Sequence, residues 1–129
     1  MSELCIPGIR LGVAQAGIKY ANRDDLTIIE IAEGSSTAAV FTQNAFRAAP
    51  VLVAERNNVE VDARYILINS GNANAGTGAP GMAACEQSCE ALANATQTHS
   101  RLVLPFSTGV IGELLPGEKI GAAVPSAIS

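Results

Sequence analysis

The sequence predicts a protein of the α/β or α+β class, with the strands of one sheet arranged around a long helix and a shorter one. Three observations support this prediction. Short runs rich in Val, Ile and Leu recur between polar turns, apolar residues follow Pro80 at helical spacing, and a loop rich in glycine and asparagine separates the two patterns. A length of 129 residues suits one domain or slightly less. The sequence does not decide between parallel and antiparallel strand order.

The first part of the chain is predicted to form strands. Residues 9–18 are short and apolar, and glycines break the run, so an extended strand is favoured. Residues 26–31 are rich in β-branched side chains, and a polar turn precedes them at 22–25. A second turn at 33–36 leads to residues 38–42, which are predicted to return as the second strand of a hairpin.

The middle of the chain is less uniform. Residues 51–61 are ambiguous between strand and helix, with Pro50 marking a boundary and residues 56–58 resembling a loop. Residues 65–69 (Tyr-Ile-Leu-Ile-Asn) predict a buried strand. The segment 69–78 has three glycines and three asparagines, which tolerate positive φ, so this loop can bring its backbone close to another group.

The last part of the chain predicts two helices and one strand. Pro80 suits the first turn of a helix, and apolar residues then share one helical face: Met82, Cys85, Cys89 and Leu92. Residues 102–106 form a further strand, directly followed by Ser-Thr-Gly. The chain becomes helical again from Glu118, and Pro125 is expected to interrupt or kink that helix.

Composition excludes several classes of function. A net charge of −4 argues against a nucleic-acid surface, and no apolar run approaches the roughly 18 residues of a membrane span. The first ten residues lack the pattern of a secretory signal, and three cysteines, an odd number, give no disulfide framework. We therefore expect a cytoplasmic protein. With 48% hydrophobic and only 16% charged residues, the chain is also expected to bury surface against more polypeptide or a partner.

Three polar or reactive features are given ordinary structural interpretations. Cys85 and Cys89 are four residues apart, without the further ligands of a metal site, so both are predicted to be core residues. His99, the only histidine, is predicted to lie in a surface turn, since no Gly-x-Ser-x-Gly motif supports a Ser-His-Asp triad. The loop 69–78 lacks both common phosphate-binding patterns and is predicted to pack beside an active site.

Thr108 and Gly109 are the strongest candidates for a functional site. They lie where a predicted buried strand ends, which is where sites are built in α/β folds. A glycine lets a carbonyl oxygen approach the backbone N–H, and the adjacent hydroxyl offers a second donor. Two such donors can hold an oxyanion during acyl transfer. Ser-Thr-Gly is also an ordinary turn, and the residues alone leave both interpretations open.

Four stretches give the sequence a family resemblance. It closely resembles the ornithine acetyltransferase family of arginine biosynthesis, also called glutamate N-acetyltransferase. The four stretches occur in the family's order and are spread over most of the chain: GVAQAGIK at 12–19, AVFTQNAFRAAPV at 39–51, NSGNANAGTG at 69–78 and PFSTGVIG at 105–112.

The resemblance implies a fold and a mechanism. The family fold is a layered α/β sandwich that resembles, without matching, the N-terminal-nucleophile hydrolases. One precursor cleaves itself into α and β chains before a threonine, which becomes the nucleophile and can use its own amine as base. Acetyl passes from N-acetylornithine to glutamate in a ping-pong reaction, and in bifunctional members acetyl-CoA is also a donor. No cofactor is implied, and the expected assembly is an α2β2 heterotetramer.

The family's oxyanion hole is a Thr-Gly pair, which corresponds to Thr108 and Gly109. Its cleavage threonine lies well downstream of Ser-Thr-Gly, whereas the only Ala-Thr pair here, Ala95-Thr96, lies upstream. Residues 1–129 are therefore interpreted as the N-terminal portion of an α chain, a single partial domain that lacks the nucleophile and is inactive alone. Two alternatives are a non-catalytic binding or scaffolding module and an amidohydrolase related to the self-cleaving aminopeptidases.

Overall fold

A computed structural model describes residues 5–59 and 61–129 of the chain. The first four residues of the segment analysed for a secretory signal, and Glu60 of the ambiguous segment 51–61, lie outside the described residues. The elements form one four-stranded sheet with three α-helices and a 3₁₀ turn at Ser100–Leu102. The strands are β1 Ile9–Ala14, β2 Leu26–Ile31, β3 Tyr65–Asn69 and β4 Val103–Ser107; the helices are α1 Ala49–Asn58, α2 Gly78–Thr96 and α3 Gly117–Ile128.

The sheet is mixed, and its strands lie in chain order, β1-β2-β3-β4. β2 pairs antiparallel with both β1 and β3, whereas β3 and β4 are parallel. The parallel pair is joined through α2, because two strands that run the same way need a crossover connection. This crossover places the carboxyl ends of β3 and β4 side by side.

The predicted strand at 38–42 is wrong. In the structure this segment has no regular secondary structure, and Val40 is almost fully exposed. The hairpin partner of β2 is instead β1, with Leu11 opposite Ile29. β3 occupies the other edge of β2, so no hydrogen-bonding edge of β2 remains for residues 38–42. The turn before this segment is present, with Gly34 at φ +86°.

The ambiguous segment 51–61 is largely helical, and the loop predicted at 56–58 is wrong, because α1 continues through Asn58. Pro50 lies in the first turn, where its missing N–H is not needed. Asn57 is buried in the last turn, and its amide donates to the carbonyl oxygens of Val103 at 2.9 Å and Ser100 at 3.3 Å. This polar anchor explains why a sequence of Arg-Asn-Asn is helical here.

The remaining predicted elements are confirmed with small shifts at their ends. β1 is shorter than the predicted 9–18, and α2 begins two residues before Pro80. Cys85, Cys89 and Leu92 face the core as predicted, and Met82 packs against its edge. α3 begins at Gly117 and runs through Pro125 to Ile128, so this proline does not end the helix.

The main core lies between one face of the sheet and helices α2 and α3. Leu26, Leu92 and Val103 are completely buried in it. α3 packs against β1 and β2, and its approach is so close that a side chain at Gly12 would overlap the Ala127 carbonyl. α1 packs against β4 and α2 at the other end of the sheet.

The opposite face of the sheet carries apolar side chains that the described helices leave uncovered. Strand pairing places them in rows across the sheet, Leu11 beside Ile29 and Ile29 beside Ile66. Leu11 is 70% exposed and Phe106 47% exposed. We call this surface the open face, and it comprises Leu11, Val13, Ile29, Ile66, Ile68 and Phe106. No helix among the described residues is long and apolar enough to cross a membrane.

Candidate active site at the carboxyl ends of β3 and β4

The site predicted at Thr108 and Gly109 lies where the two parallel strands end together. Asn69, the last residue of β3, pairs with Ser107, the last residue of β4. Each strand then enters a loop, and the two loops remain side by side. We call residues 69–77 the asparagine loop and residues 107–110 the Thr108 turn.

Four backbone hydrogen bonds join the asparagine loop to the Thr108 turn and to the residues directly after it. The Thr108 N–H donates to the Asn69 carbonyl at 3.0 Å, and the Val110 N–H to the Gly71 carbonyl at 3.5 Å. In the other direction the Ala73 N–H donates to the Val110 carbonyl at 2.9 Å. The Gly112 N–H donates to the Ala75 carbonyl at 2.9 Å. The Thr108 turn is therefore fixed by the neighbouring loop rather than by its own residues alone.

Gly109 is required at its position for two reasons. Its φ is +131°, a conformation that side-chain-bearing residues rarely adopt. A Cβ there would also lie only 2.5 Å from the Asn72 nitrogen and 2.9 Å from the Gly71 Cα, so the two backbones approach too closely for any side chain. The sequence predicts that the loop 69–78 can bring its backbone close to another group, and the structure identifies that group as the Gly109 backbone.

Two polar groups of the Thr108 turn have no hydrogen bond to any described residue. They are the Thr108 hydroxyl and the Gly109 N–H, both on exposed residues and adjacent along the chain. The backbone N–H of Thr108, in contrast, is used by β3. A threonine that only stabilised a turn would be expected to use its hydroxyl within that turn, as Thr42 does here by accepting from the Asn44 N–H at 3.2 Å.

Three buried asparagines build the asparagine loop, and the sequence gives no sign of their burial. Asn69 accepts at Oδ1 from the Ser107 hydroxyl at 2.6 Å and donates from Nδ2 to the Asn72 carbonyl at 2.9 Å. Asn74, at φ +48°, donates to the Gly81 carbonyl in the first turn of α2. Asparagine, glycine and serine in a loop predict turns, whereas here the buried carboxamides also hold the loop in place by hydrogen bonds to the backbone.

A cleft of about 640 Å³ opens beside the Thr108 turn. Its floor is formed by Ile68 and Phe106 of the open face, and its walls by residues 38–42 and the start of α1. Thr42, Ser107 and Thr108 are the polar residues of an otherwise apolar lining that contains no charged side chain. A developing negative charge in this setting would depend on neutral hydrogen-bond donors.

The other candidates have the structural roles that the sequence predicts for them. His99 is exposed at the start of the 3₁₀ turn before β4, where its Nδ1 accepts from the Arg101 N–H at 3.1 Å. It therefore lies at the opposite end of β4 from Ser107. Asp25, one of the three aspartates that a triad could use, is buried and accepts from the Ala16 and Ile18 N–H groups at 2.6 and 2.8 Å.

Cys85 and Cys89 are both buried in the main core, which confirms the core interpretation. A side-chain hydrogen bond with Cys85 and burial together raise the pKa of Cys89 far above its usual range. Thr96, the threonine of the Ala-Thr pair, lies in α2 and donates to the Leu92 carbonyl. No cluster of three or more metal-ligating side chains occurs within residues 5–59 and 61–129.

Comparison with known proteins adds a family match. The model of the ArgJ family matches residues 10–129. The chain is 59% identical over 126 residues to the arginine biosynthesis bifunctional protein ArgJ of Methylococcus capsulatus, covering 97% of this chain and 31% of the relative. It is 54% identical to the ArgJ protein of Pseudomonas syringae pv. tomato, covering 95% of this chain and 30% of that protein. The chain thus spans less than a third of the length of these curated relatives.

Two solved structures share the fold. The crystal structure of the ArgJ protein from Bacillus halodurans superposes with a TM-score of 0.83 at 34% identity, covering 90% of this chain and 61% of that one. The ornithine acetyltransferase of Mycobacterium tuberculosis, crystallised in complex with ornithine, superposes with a TM-score of 0.88 at 35% identity. That match covers 95% of this chain and 66% of the crystallised one.

Proposed function

Because the chain belongs to the ArgJ family, we propose that it is the amino-terminal part of a self-cleaving acetyltransferase of arginine biosynthesis. The complete protein transfers acetyl from N-acetylornithine to glutamate by a ping-pong reaction, with acetyl-CoA as a second donor if this protein is bifunctional like its named relatives. The nucleophile is a threonine outside this chain. Residues 1–129 supply the oxyanion hole and are inactive alone.

The observation that supports this role is the pair of unused donors in the Thr108 turn. The Thr108 hydroxyl and the Gly109 N–H lie at the carboxyl ends of two parallel strands and beside a cleft. Their backbone is held by the asparagine loop on the adjacent strand. Donors fixed in advance stabilise charge without the cost of reorganising during the reaction.

In the proposed reaction the threonine hydroxyl oxygen attacks the acetyl carbonyl carbon, the hydroxyl proton passes to the threonine's own amine, and the carbonyl π electrons move to the carbonyl oxygen. Thr108 and Gly109 donate hydrogen bonds to that oxyanion. When the tetrahedral intermediate collapses, the C–N bond breaks, ornithine leaves with a proton, and the acetyl group remains on the threonine. Attack by the glutamate amine repeats the same sequence in reverse. The proposed transfer needs no cofactor, since both hydrogen-bond donors to the oxyanion belong to the protein.

The open face supports a partner for this chain. The strands are apolar on both faces, a pattern typical of sheets that are covered on both sides. Exposed apolar patches of this kind mark interaction surfaces. We propose that the rest of the same precursor covers the open face, that residues 1–129 are one partial domain, and that the processed protein assembles as α2β2. We also propose that the complete protein has a layered α/β structure that resembles, without matching, the N-terminal-nucleophile hydrolases.

The proposed ligands are small amino acids rather than macromolecules. The Mycobacterium tuberculosis neighbour binds ornithine, which agrees with an acetylated ornithine as donor. The chain has a net charge of −4 and, among its described residues, no candidate membrane helix. We therefore propose a cytoplasmic enzyme without nucleic-acid or membrane partners.

Substitution of Thr108 in the complete protein tests the proposed function. Thr108→Ala removes one oxyanion donor and should lower kcat for acetyl transfer by about 100- to 1000-fold. KM should change little, because the charge exists only in the transition state. Thr108→Ser keeps a hydroxyl and should lose much less. Rates are measured with N-acetylornithine and glutamate and expressed per mole of self-cleaved protein.

Thr98→Ala is the matched control, because Thr98 lies before β4, at the opposite end of that strand from the Thr108 turn. Its kcat should stay within a few-fold of the parent. If Thr108→Ala lowers only the melting temperature and leaves kcat similar to that of the control, Thr108 merely stabilises a turn and the proposed role is wrong.

A further inference from the structure

We infer that Asn72 is a positioning residue for acetyl transfer, acting through the Thr108 turn without contacting substrate. This inference rests on the proposed oxyanion role of Thr108 and Gly109. Asn72 is only 3% exposed, and its backbone pairs with Val110, the residue directly after Gly109. Its side chain extends this attachment to the segment that follows the turn.

The Asn72 carboxamide uses both of its ends. Its Nδ2 donates to the carbonyl oxygens of Glu113 at 3.1 Å and Leu114 at 3.2 Å. Its Oδ1 accepts from the Asn74 N–H at 2.7 Å. One side chain therefore fixes the shape of the asparagine loop and ties that loop to the chain that leaves the Thr108 turn.

The close contact at Gly109 explains why this attachment matters for the donors. Gly109 lies against the backbone of Gly71 and Asn72, which leaves no room for a side chain. Movement of this backbone towards the turn would displace Gly109, and movement away would remove its support. A displacement of about 1 Å in a catalytic group can cost roughly 100-fold in rate.

Asn69 links the same backbone to the end of β4. Its Nδ2 donates to the Asn72 carbonyl, and its Oδ1 accepts from the hydroxyl of Ser107, the residue before Thr108. The Thr108 turn is thus held on its incoming side through Asn69 and on its outgoing side through Asn72. Positioning residues that lock a donor pair in this way support the chemistry of a site without taking part in it.

A purely structural role is the alternative, and Asn57 provides a matched comparison. Asn57 is also buried, at 2% exposure, and its carboxamide also donates to two backbone carbonyls, those of Ser100 and Val103. These contacts lie at the amino-terminal end of β4, away from the Thr108 turn. Loss of either carboxamide should therefore destabilise the fold by a similar amount.

The test compares Asn72→Ala with Asn57→Ala in the complete, self-cleaved protein. We expect Asn72→Ala to lower kcat for acetyl transfer by about 10- to 100-fold, with KM within about twofold of the parent. Asn57→Ala should keep kcat within about threefold. In a Thr108→Ala background, Asn72→Ala should cause a smaller further loss than in the parent, because the Gly109 N–H is then the only oxyanion donor left to misplace.

Equal kcat values for the Asn72 and Asn57 variants would overturn the inference. So would a full additional loss for Asn72→Ala in the Thr108→Ala background, because it would show that Asn72 acts independently of the turn.

If Asn72→Ala fails to fold while Asn57→Ala folds, Asn72→Ser decides, since its hydroxyl can keep one hydrogen bond to the loop. Its kcat should fall by roughly 3- to 30-fold, a part of the loss that misplacing the turn would cause; an unchanged kcat contradicts the inference. A Thr108→Ala variant with parental kcat is a separate result, which would overturn the proposed oxyanion role itself.

Discussion

The two faces of the sheet have similar side chains but different surroundings. Leu26 and Val103 on the helix-covered face are completely buried, whereas Leu11 on the open face is 70% exposed. Both faces are rich in Ile, Val and Leu, so composition does not explain the difference. Helices α2 and α3 cover one face, whereas α1 meets the other face at the β4 edge, where Leu104 is buried with Ala54, and leaves the rest of it uncovered. A sheet with two apolar faces needs two layers, and this chain provides one of them.

The largest expected change in stability comes from a substitution on the helix-covered face of the sheet. Leu92 of α2 is completely buried in the main core, so Leu92→Ala removes apolar contacts and leaves a cavity. We expect a loss of about 2–5 kcal/mol in the free energy of unfolding of the 129-residue chain. Urea denaturation followed by circular dichroism measures it. A loss below about 1 kcal/mol would show that this face is not the core of the fold.

A smaller change in stability is expected for a substitution on the open face, and it should differ between the 129-residue chain and the complete protein. Leu11→Ala in the 129-residue chain should change the free energy of unfolding by at most about 0.5 kcal/mol, because Leu11 is already exposed. In the complete protein the same substitution should cost about 2 kcal/mol if the open face is covered, which lowers Tm by several degrees. Equal Tm shifts for the two proteins would contradict the proposal that further polypeptide packs on this face.

The smallest expected effect is a dependence of stability on pH, caused by a cysteine in the core under the helix-covered face. A side-chain hydrogen bond with Cys85, together with burial, raises the pKa of Cys89, so the folded thiol stays protonated where the unfolded thiol ionises. Unfolding then releases a proton, and stability falls as the pH rises above the ordinary cysteine pKa of about 8.5. The expected slope is up to about 1.4 kcal/mol per pH unit between pH 9 and 10. Urea denaturation at each pH should show a shallower slope for Cys89→Ala; an unchanged slope would exclude this thiol as the cause.

The elements that the sequence predicts correctly are those whose own residues carry a clear hydrophobic pattern. The β-branched run at β2, the apolar run at β3 and the helical spacing from Met82 to Leu92 each identify their element. The strand predicted at residues 38–42 failed because strand pairing is not local. Its sequence suits a strand, but β1 and β3 occupy both edges of β2.

The site could be predicted only in part. Thr108 and Gly109 are candidates because of their place after a buried strand and because of the family resemblance, and their role stays a prediction. Neither signal reveals that Asn72 is buried or that its carboxamide reaches the Glu113 and Leu114 carbonyls about 40 residues away. Asparagine is common in exposed turns, so its burial follows only from the pairing of two loops that are distant in sequence.

The most direct test of the central claim is the infrared spectrum of the acetylated enzyme. The complete protein is acetylated with ¹³C-carbonyl-labelled N-acetylornithine, and the ester carbonyl stretch is compared between the parent, Thr108→Ala and Thr98→Ala. Hydrogen bonds to the carbonyl oxygen weaken the C=O bond and lower its frequency. If Thr108 donates to that oxygen, the stretch should move to higher frequency in Thr108→Ala and stay at the parental value in Thr98→Ala. The same frequency in all three proteins would show that the Thr108 hydroxyl does not reach the acetyl group.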